Sequence, residues 1–153
     1  MKIVVVSDSH SNYSILNDIV MKNYDADYFY HLGDSELPDY LLNSFAGVRG
    51  NCDYNNLPKE RDFEVERFKV HLEHGNALNF MINPKAYVKS KNCDIFLFGH
   101  THRKLAKKYG ATYVFNPGSL TRPRDGDVGS YLVLYLTKDQ PVKWEFKKVE
   151  ESK

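Results

Sequence analysis

Residues 2–7 (KIVVVS), 27–33 (DYFYHLG) and 93–99 (CDIFLFG) are largely apolar runs of strand length, followed at once by Asp8, Asp34 and His100 at turns. Runs without polar alternation suit strands buried on both faces. Two further segments close alike: the brief run 47–49 meets Gly50-Asn51, and KVHLEH meets Gly75 just after His74. In open α/β sheets ligands bind beyond the carboxyl ends of the strands, so a chain built this way gathers these residues in one crevice.

Between the strands, Ile15, Leu16, Ile19 and Val20 recur at helical spacing behind the capping candidates Ser11 and Asn12. ELPDYLLNSF (36–45) predicts a short helix with Pro38 in its first turn, and Asn83-Pro84 opens another that runs to about Lys91. RDFEVERFKVHLEHG (61–75) alternates polar and apolar residues, which predicts a hairpin. TYVFNPG, GSYLVLYLT and VKWEFKKVE read as alternating strands of an antiparallel sheet with one solvated side. The expected class is α/β, one domain over residues 1–153, with two sheets packed face to face and helices outside. The KKVEESK tail is expected to fray. His31 is expected to pack within its strand and Cys93 to be buried before one. His71 alternates with Val70 and Leu72 and is expected on the solvent face.

The charge balance excludes some partners. Lys and Arg number 21 against 20 Asp and Glu, so no global field recruits nucleic acid or an anionic membrane. The first apolar run is too short for a signal-peptide core and nothing later approaches a membrane span, so a cytoplasmic protein is expected. Cys52 and Cys93 lack zinc-knuckle spacing and are expected to be reduced thiols.

Asp8 and His10 stand two apart, as do His100 and His102. In extended chain such pairs point the same way and reach a common centre. Glycines at 33, 50, 75 and 99 allow sharp turns beside it. With Asp34, Asn51 and His74 this makes seven donors. That is too many for one ion with an open position, and suited to two ions sharing a carboxylate.

The ordered series DSH, GD, GNCD, EHG and GHTH, from Asp8 to His102 and on to NPGS at 116–119, resembles the calcineurin-like metallophosphoesterases and is similar to their small bacterial and archaeal phosphodiesterase branch. The resemblance implies a two-sheet β-sandwich flanked by helices, in αββα order. It implies two divalent ions, the first held by Asp8, His10 and His102, the second by Asn51, His74 and His100, with Asp34 bridging. It further implies phosphodiester hydrolysis by a metal-bridging hydroxide, with Asn51, Cys52 and His74 at catalytic positions. Mn²⁺ is the expected metal. The mixed nitrogen and oxygen donors also suit Fe²⁺, Co²⁺, Ni²⁺ or Zn²⁺ better than Mg²⁺ or Ca²⁺. The implied substrate is a small-molecule or nucleotide-type phosphodiester, and the implied assembly a homo-oligomer; nucleic acid is disfavoured by the charge balance. Cys52 stands where larger members carry histidine, and a thiol is a poor general acid, which points to substrates with good leaving groups. Arg103, Arg122 and Arg124 are candidate clamps for the phosphate. The same fold serves as a scaffold subunit in eukaryotic retromer, so a catalytically weak or inactive scaffold is the competing reading.

Overall fold

β1 (Lys2–Val6) shows why the first run carries no polar alternation. Ile3 and Val5 belong to the core between two sheets, whereas Val4 and Val6 pack in a second core under a helix, and all four are shut off from solvent. The computed structural model, which describes residues 1–126 and 128–149, places β1 in the middle of its sheet. β1 runs parallel to β2 (Tyr28–His31), which pairs in parallel with β3 (Ala46–Gly47). On its other side lie β9 (Ser130–Tyr135) and then β10 (Lys143–Lys148), both antiparallel to their neighbours.

The second sheet also has parallel strands at its centre, but with an antiparallel strand at each margin. Its order is β4 (Glu60–Val65), β5 (Phe68–Glu73), β6 (Ile95–Leu97), β8 (Thr112–Pro117) and β7 (Lys104–Tyr109). Only β4–β5 and β7–β8 are antiparallel. Val70, Leu72, Ile95, Leu97 and Phe115 meet Ile3, Val5, Tyr30 and Leu132 between the sheets. Outside the first sheet lies α1 (Tyr13–Lys22), capped by Asn12, whose Oδ1 accepts from Ile15 N–H at 3.1 Å. Outside the second lie α2 (Leu78–Ile82) and α3 (Pro84–Ser90), over Phe80, Val88, Phe96 and Val114. The layers run helix, sheet, sheet, helix, the expected class. Three buried apolar clusters, one between the sheets and one under each helical layer, cover the central parallel strands on both faces.

Several local expectations change. The segment 36–45 forms only a 3-10 turn, Asp39–Leu42, with Pro38 extended at its N-cap and Asn43 at its C-cap. α2 and β7 were not expected: α2 buries only Phe80, and β7 is an edge strand whose lysines face solvent. β9 does not alternate, since it lies between β10 and β1 and is buried from Ser130 to Leu134. Lys147 and Lys148, at the start of the expected frayed tail, belong to β10, and residues 150–153 lie outside those described. His71 is buried, not solvent-facing. The face of β5 turned away from the inter-sheet core lies under α2 and α3, so its alternation marks two buried faces, and the ring packs on Phe96. Cys93 is buried beside that helical layer, as expected.

The β4–β5 hairpin turns on Glu66 and Arg67, at φ 49° and 74°. A two-residue turn with both φ values positive matches the strand twist but disfavours side chains. The 3.8 Å ion pair from Arg67 to Asp139 is mostly exposed and offsets little of this. Arg67→Gly is therefore expected to raise stability by about 1 kcal/mol in urea unfolding; a lower midpoint would mean that Arg67 makes a worthwhile contact.

Candidate metal centre

The expected donors gather at the carboxyl ends of the parallel strands, but not by the route expected. The paired donors are not extended. Asp8, His10, Asp34, His100 and His102 all take left-handed backbone conformations, with φ between 44° and 69°. Asp and His tolerate this region better than bulky or branched residues, at a cost of order 1–3 kcal/mol each. The chain turns sharply at each strand end and drives each side chain inward.

Asp8, fully buried, is divided in function. Its Oδ2 accepts from Ser7 Oγ at 2.6 Å and from His100 N–H at 3.1 Å, while its carbonyl accepts from Ser119 Oγ at 2.8 Å. Its Oδ1 is left facing His102 Nε2 at 3.3 Å and His74 Nε2 at 3.8 Å. Asp34 is similar: Oδ1 accepts from Cys52 N–H at 2.8 Å and Oδ2 lies 3.1 Å from His74 Nε2. Burial opposes the charge of Asp34, but the hydrogen bond and charge of His74 outweigh it and hold its carboxyl down at about 2. Burial likewise opposes the charge of Asp8, yet His102, His74 and Ser7 hold its carboxyl below the usual range.

The histidines are aimed by their far nitrogens. His74 Nδ1–H donates to the Leu32 carbonyl at 2.8 Å and His102 Nδ1–H to the Arg122 carbonyl at 2.7 Å. His10 Nδ1 lies 3.0 Å from Glu36 Oε2. Each partner fixes the ring and turns Nε2 towards the centre, where, against desolvation, the Asp34 and Asp8 carboxylates hold the His74 and His102 imidazoles above their usual range. His100 Nδ1 comes within 3.3 Å of His74 Nε2. Of three groups of possible donor atoms among the described residues, Glu60, His71 and Glu73 on β4 and β5 form one, and two lie here: Asp8, His10 and His102, and Asp8, Asp34 and His74. Asp8 belongs to both.

Among the described residues, Asp8 Oδ1 and His10 Nε2 are the buried side-chain atoms left without a hydrogen-bond partner. A buried acceptor without a partner costs about 1–3 kcal/mol, more when charged. A cation between them would satisfy both, so the residues present fit a divalent metal. Asn51 is exposed, its amide 3.6 Å from Cys52 Sγ, and it shares a cavity wall with His74. The Cys52 thiol is pushed up, by desolvation first and then by Asp34, Glu36 and Asp53, and stays neutral. Arg103, Arg122 and Arg124 are all exposed; Arg122 and Arg124 meet a donor residue through backbone alone, the Arg122 carbonyl accepting from His102 Nδ1–H and the Arg124 N–H donating to the His102 carbonyl at 2.9 Å.

His31 is no donor to the centre. It is buried between Ser9 Oγ, at 2.9 Å, and Gly33 N–H, at 3.1 Å, and burial pushes it down to about 4, so it is neutral. Some supporting residues received no role from the sequence. Asp53 accepts from the N–H groups of Asp34, Gly50 and Glu36 at 2.8, 2.7 and 2.7 Å and latches two donor loops together. Asn116 holds the GHTH turn by donating to the Gly99 carbonyl at 2.9 Å and to Thr101 Oγ1 at 3.0 Å. Both stand within quoted motifs, GNCD and NPGS, and that membership was the available signal. A Cβ at Gly50 would run into the Asp34 carboxylate, and one at Gly99 into Ser7 and Asp8, so both glycines are set by close approach.

Residues 1–139 match the family model of the calcineurin-like phosphoesterase superfamily domain, and the chain belongs to that family. It is 29% identical over 146 residues to the probable metallophosphoesterase YsnB of Bacillus subtilis, covering 91% of this chain and 86% of the relative. It is 30% identical over 103 residues to the phosphodiesterase YfcE of Escherichia coli, covering 61% and 54%. Among solved structures, a predicted phosphoesterase of Streptococcus pneumoniae superposes with a TM-score of 0.86 at 27% identity, covering 96% and 88%. A zinc complex of Vps29 from Entamoeba histolytica shares the fold alone, with a TM-score of 0.70 at 21% identity, covering 98% and 100%. The chain is thus a metallophosphoesterase by family, and its donor groups lie where the fold gathers its strand ends.

The left-handed donors carry a measurable cost. In metal-free protein His100→Gly is expected to be more stable than His100→Ala by about 1 kcal/mol, because φ 69° suits glycine. Equal unfolding midpoints for the two variants would show that the turn is unstrained.

Proposed function

We propose that the chain is a dinuclear metal-dependent phosphodiesterase. The observation that carries this reading is the pair of unpartnered buried atoms, Asp8 Oδ1 and His10 Nε2, ringed by histidines whose far nitrogens are already tied. A fold with no need of a cation would have no reason to keep them. Asp8, His10 and His102 would hold one ion; Asn51, His74 and His100 would hold the other, with Asp34 bridging. When bound, two divalent ions would supply an activated water and neutralise charge on the phosphate. The phosphodiesterase name of YfcE supports the diester as substrate class.

The protein's own residues do the rest. Leu32 and Arg122 carbonyls and the Glu36 carboxylate keep His74, His102 and His10 with Nε2 aimed inward, so binding calls for loss of the Nε2 protons of His74 and His102 and not for movement of the rings. Asp34 and Asp8 stay ionised and set the charge of the site. With two divalent ions, two carboxylates and one hydroxide, the centre keeps a single positive charge, matched to a diester monoanion. Cys52, a neutral thiol, contributes little proton transfer, and good leaving groups are favoured. Arg103 and Arg122, exposed near the GHTH turn, are proposed to meet the phosphate from solvent. Mn²⁺ is the proposed metal, and a cytoplasmic location the proposed setting; among the described residues no helix is long and apolar enough to cross a membrane.

Metal-stripped protein given Mn²⁺, Ni²⁺, Zn²⁺ or Mg²⁺ is expected to hydrolyse bis(4-nitrophenyl) phosphate with at least one transition metal. His100→Ala is expected to lower turnover by roughly 100-fold or more. Two ions bound per chain without turnover under any metal would end the enzyme reading in favour of a scaffold, the reading that the Vps29 likeness keeps in view. Asp34→Asn should bind fewer than two ions by calorimetry. If it keeps two, Asp8, common to both donor groups, is the bridge.

A further inference from the structure

A cavity of about 420 Å³ adjoins the donors, and Asn51 and His74 form part of its wall. This is the size of a small-molecule site and far more than one phosphate needs. The wall also carries Glu73, Tyr87, Arg49 and Lys59. Glu73 is a buried carboxylate, 4% exposed, held on the outer face of β5. Its Oε1 accepts from His71 Nε2 at 2.8 Å and from the Tyr87 hydroxyl at 2.9 Å, whereas Oε2 has only the same hydroxyl, at 3.0 Å. A carboxylate offers about four acceptor positions, and one hydroxyl proton serves one of these contacts at a time. Glu73 therefore keeps acceptor capacity at the cavity wall.

Pairing with His71 accounts for only one oxygen of this carboxylate. His71 Nδ1 meets Asp62 Oδ1 at 2.8 Å and its buried Nε2 is matched by Glu73 Oε1, which leaves Oε2 with the shared hydroxyl alone. Glu60, 3.3 Å from His71 Nε2, is matched in turn by Lys91 at 2.6 Å. Nor can Glu73 serve the phosphate, which it would repel. It is placed for a neutral part of a ligand that donates hydrogen bonds. Asp53 and Glu60 also line the wall, but Asp53 is committed to three backbone amides and Glu60 to Lys91, which leaves Arg49 and Lys59 to disfavour a cationic arm.

Resting on the phosphodiesterase reading, we propose that this cavity is the subsite for one arm of the diester, and that Glu73 selects an uncharged arm bearing vicinal hydroxyls, of the ribose type. Two adjacent hydroxyls can share the free positions of one carboxylate, as acidic residues do with ribose in dinucleotide sites. His71 and Tyr87 are positioning residues that hold the Glu73 carboxylate against the wall.

Three 4-nitrophenyl diesters separate the alternatives: those of uridine 5′-phosphate, of 2′,3′-dideoxyuridine 5′-phosphate and of phosphorylcholine. The wild type is expected to favour the uridine ester over the dideoxy ester in kcat/KM by about 10- to 100-fold, the loss of a hydrogen bond to a charged group. In Glu73→Gln that ratio should fall towards one. A ratio near one in the wild type, or preference for the choline ester, overturns the proposal. Calorimetry of wild-type protein with uridine 5′-monophosphate and its 2′,3′-dideoxy analogue gives a readout that needs neither turnover nor a variant: at least about tenfold weaker binding of the analogue is expected, and equal affinities overturn the proposal. The two readings fail separately. Absence of bis(4-nitrophenyl) phosphate hydrolysis with every metal counts against the enzyme, and equal nucleotide affinities count against the subsite.

Discussion

Asp8 cannot spend both of its oxygens on the frame and still serve a ligand, and the structure is arranged around that division. Oδ2 is committed to Ser7 and to the backbone of His100, which ties the end of β1 to the end of β6 across the sandwich. The Asp8 carbonyl receives Ser119, so the segment after β8 is drawn to the same point. Oδ1 is thereby held free in the interior, where water cannot compensate it. Two sheets meet at this residue, and the remaining donors close around the atom it leaves exposed.

Precision in the other donors comes from ordinary backbone. His74 and His102 are oriented by carbonyls of Leu32 and Arg122, groups present whatever the side chain, and Asp53 collects three amides from two loops. The aiming of the site is thus built into the path of the chain, and the side chains that support it need not be metal-ligand types. This explains why the donor list alone understates how many residues the centre needs.

How much of this was legible depended on whether a feature leaves a pattern in residue type. The runs KIVVVS and CDIFLFG were readable because strands covered on both faces admit no polar position, and the 61–75 hairpin because its two strands alternate. The donors were readable because Asp and His are rare at buried strand ends. β7 was not, since an edge strand of exposed lysines satisfies no apolar period, nor α2, which hides one phenylalanine. His71 misled because alternation of period two shows that two faces differ, not that one is wet. The left-handed turns left no trace beyond residues that tolerate them; the reading of extended pairs placed Asp8 beside His10 by the wrong geometry, and it missed that His100 turns to His74 while His102 turns to Asp8.

The strained turns have a consequence for how such a protein changes. The same residues carry both the chemistry and the unfavourable backbone, so replacing a donor by a smaller, freer residue relaxes the fold as it removes the ligand. Loss of His100 is then a downhill path in folding terms, whereas loss of Asp8 or Asp34 also breaks the bonds that tie the strand ends together. A member of this fold can shed its chemistry while keeping its shape, which makes the sandwich well suited to a second career as a binding surface. A chain that still holds its donors in these turns bears a backbone cost that binding of an ion would offset.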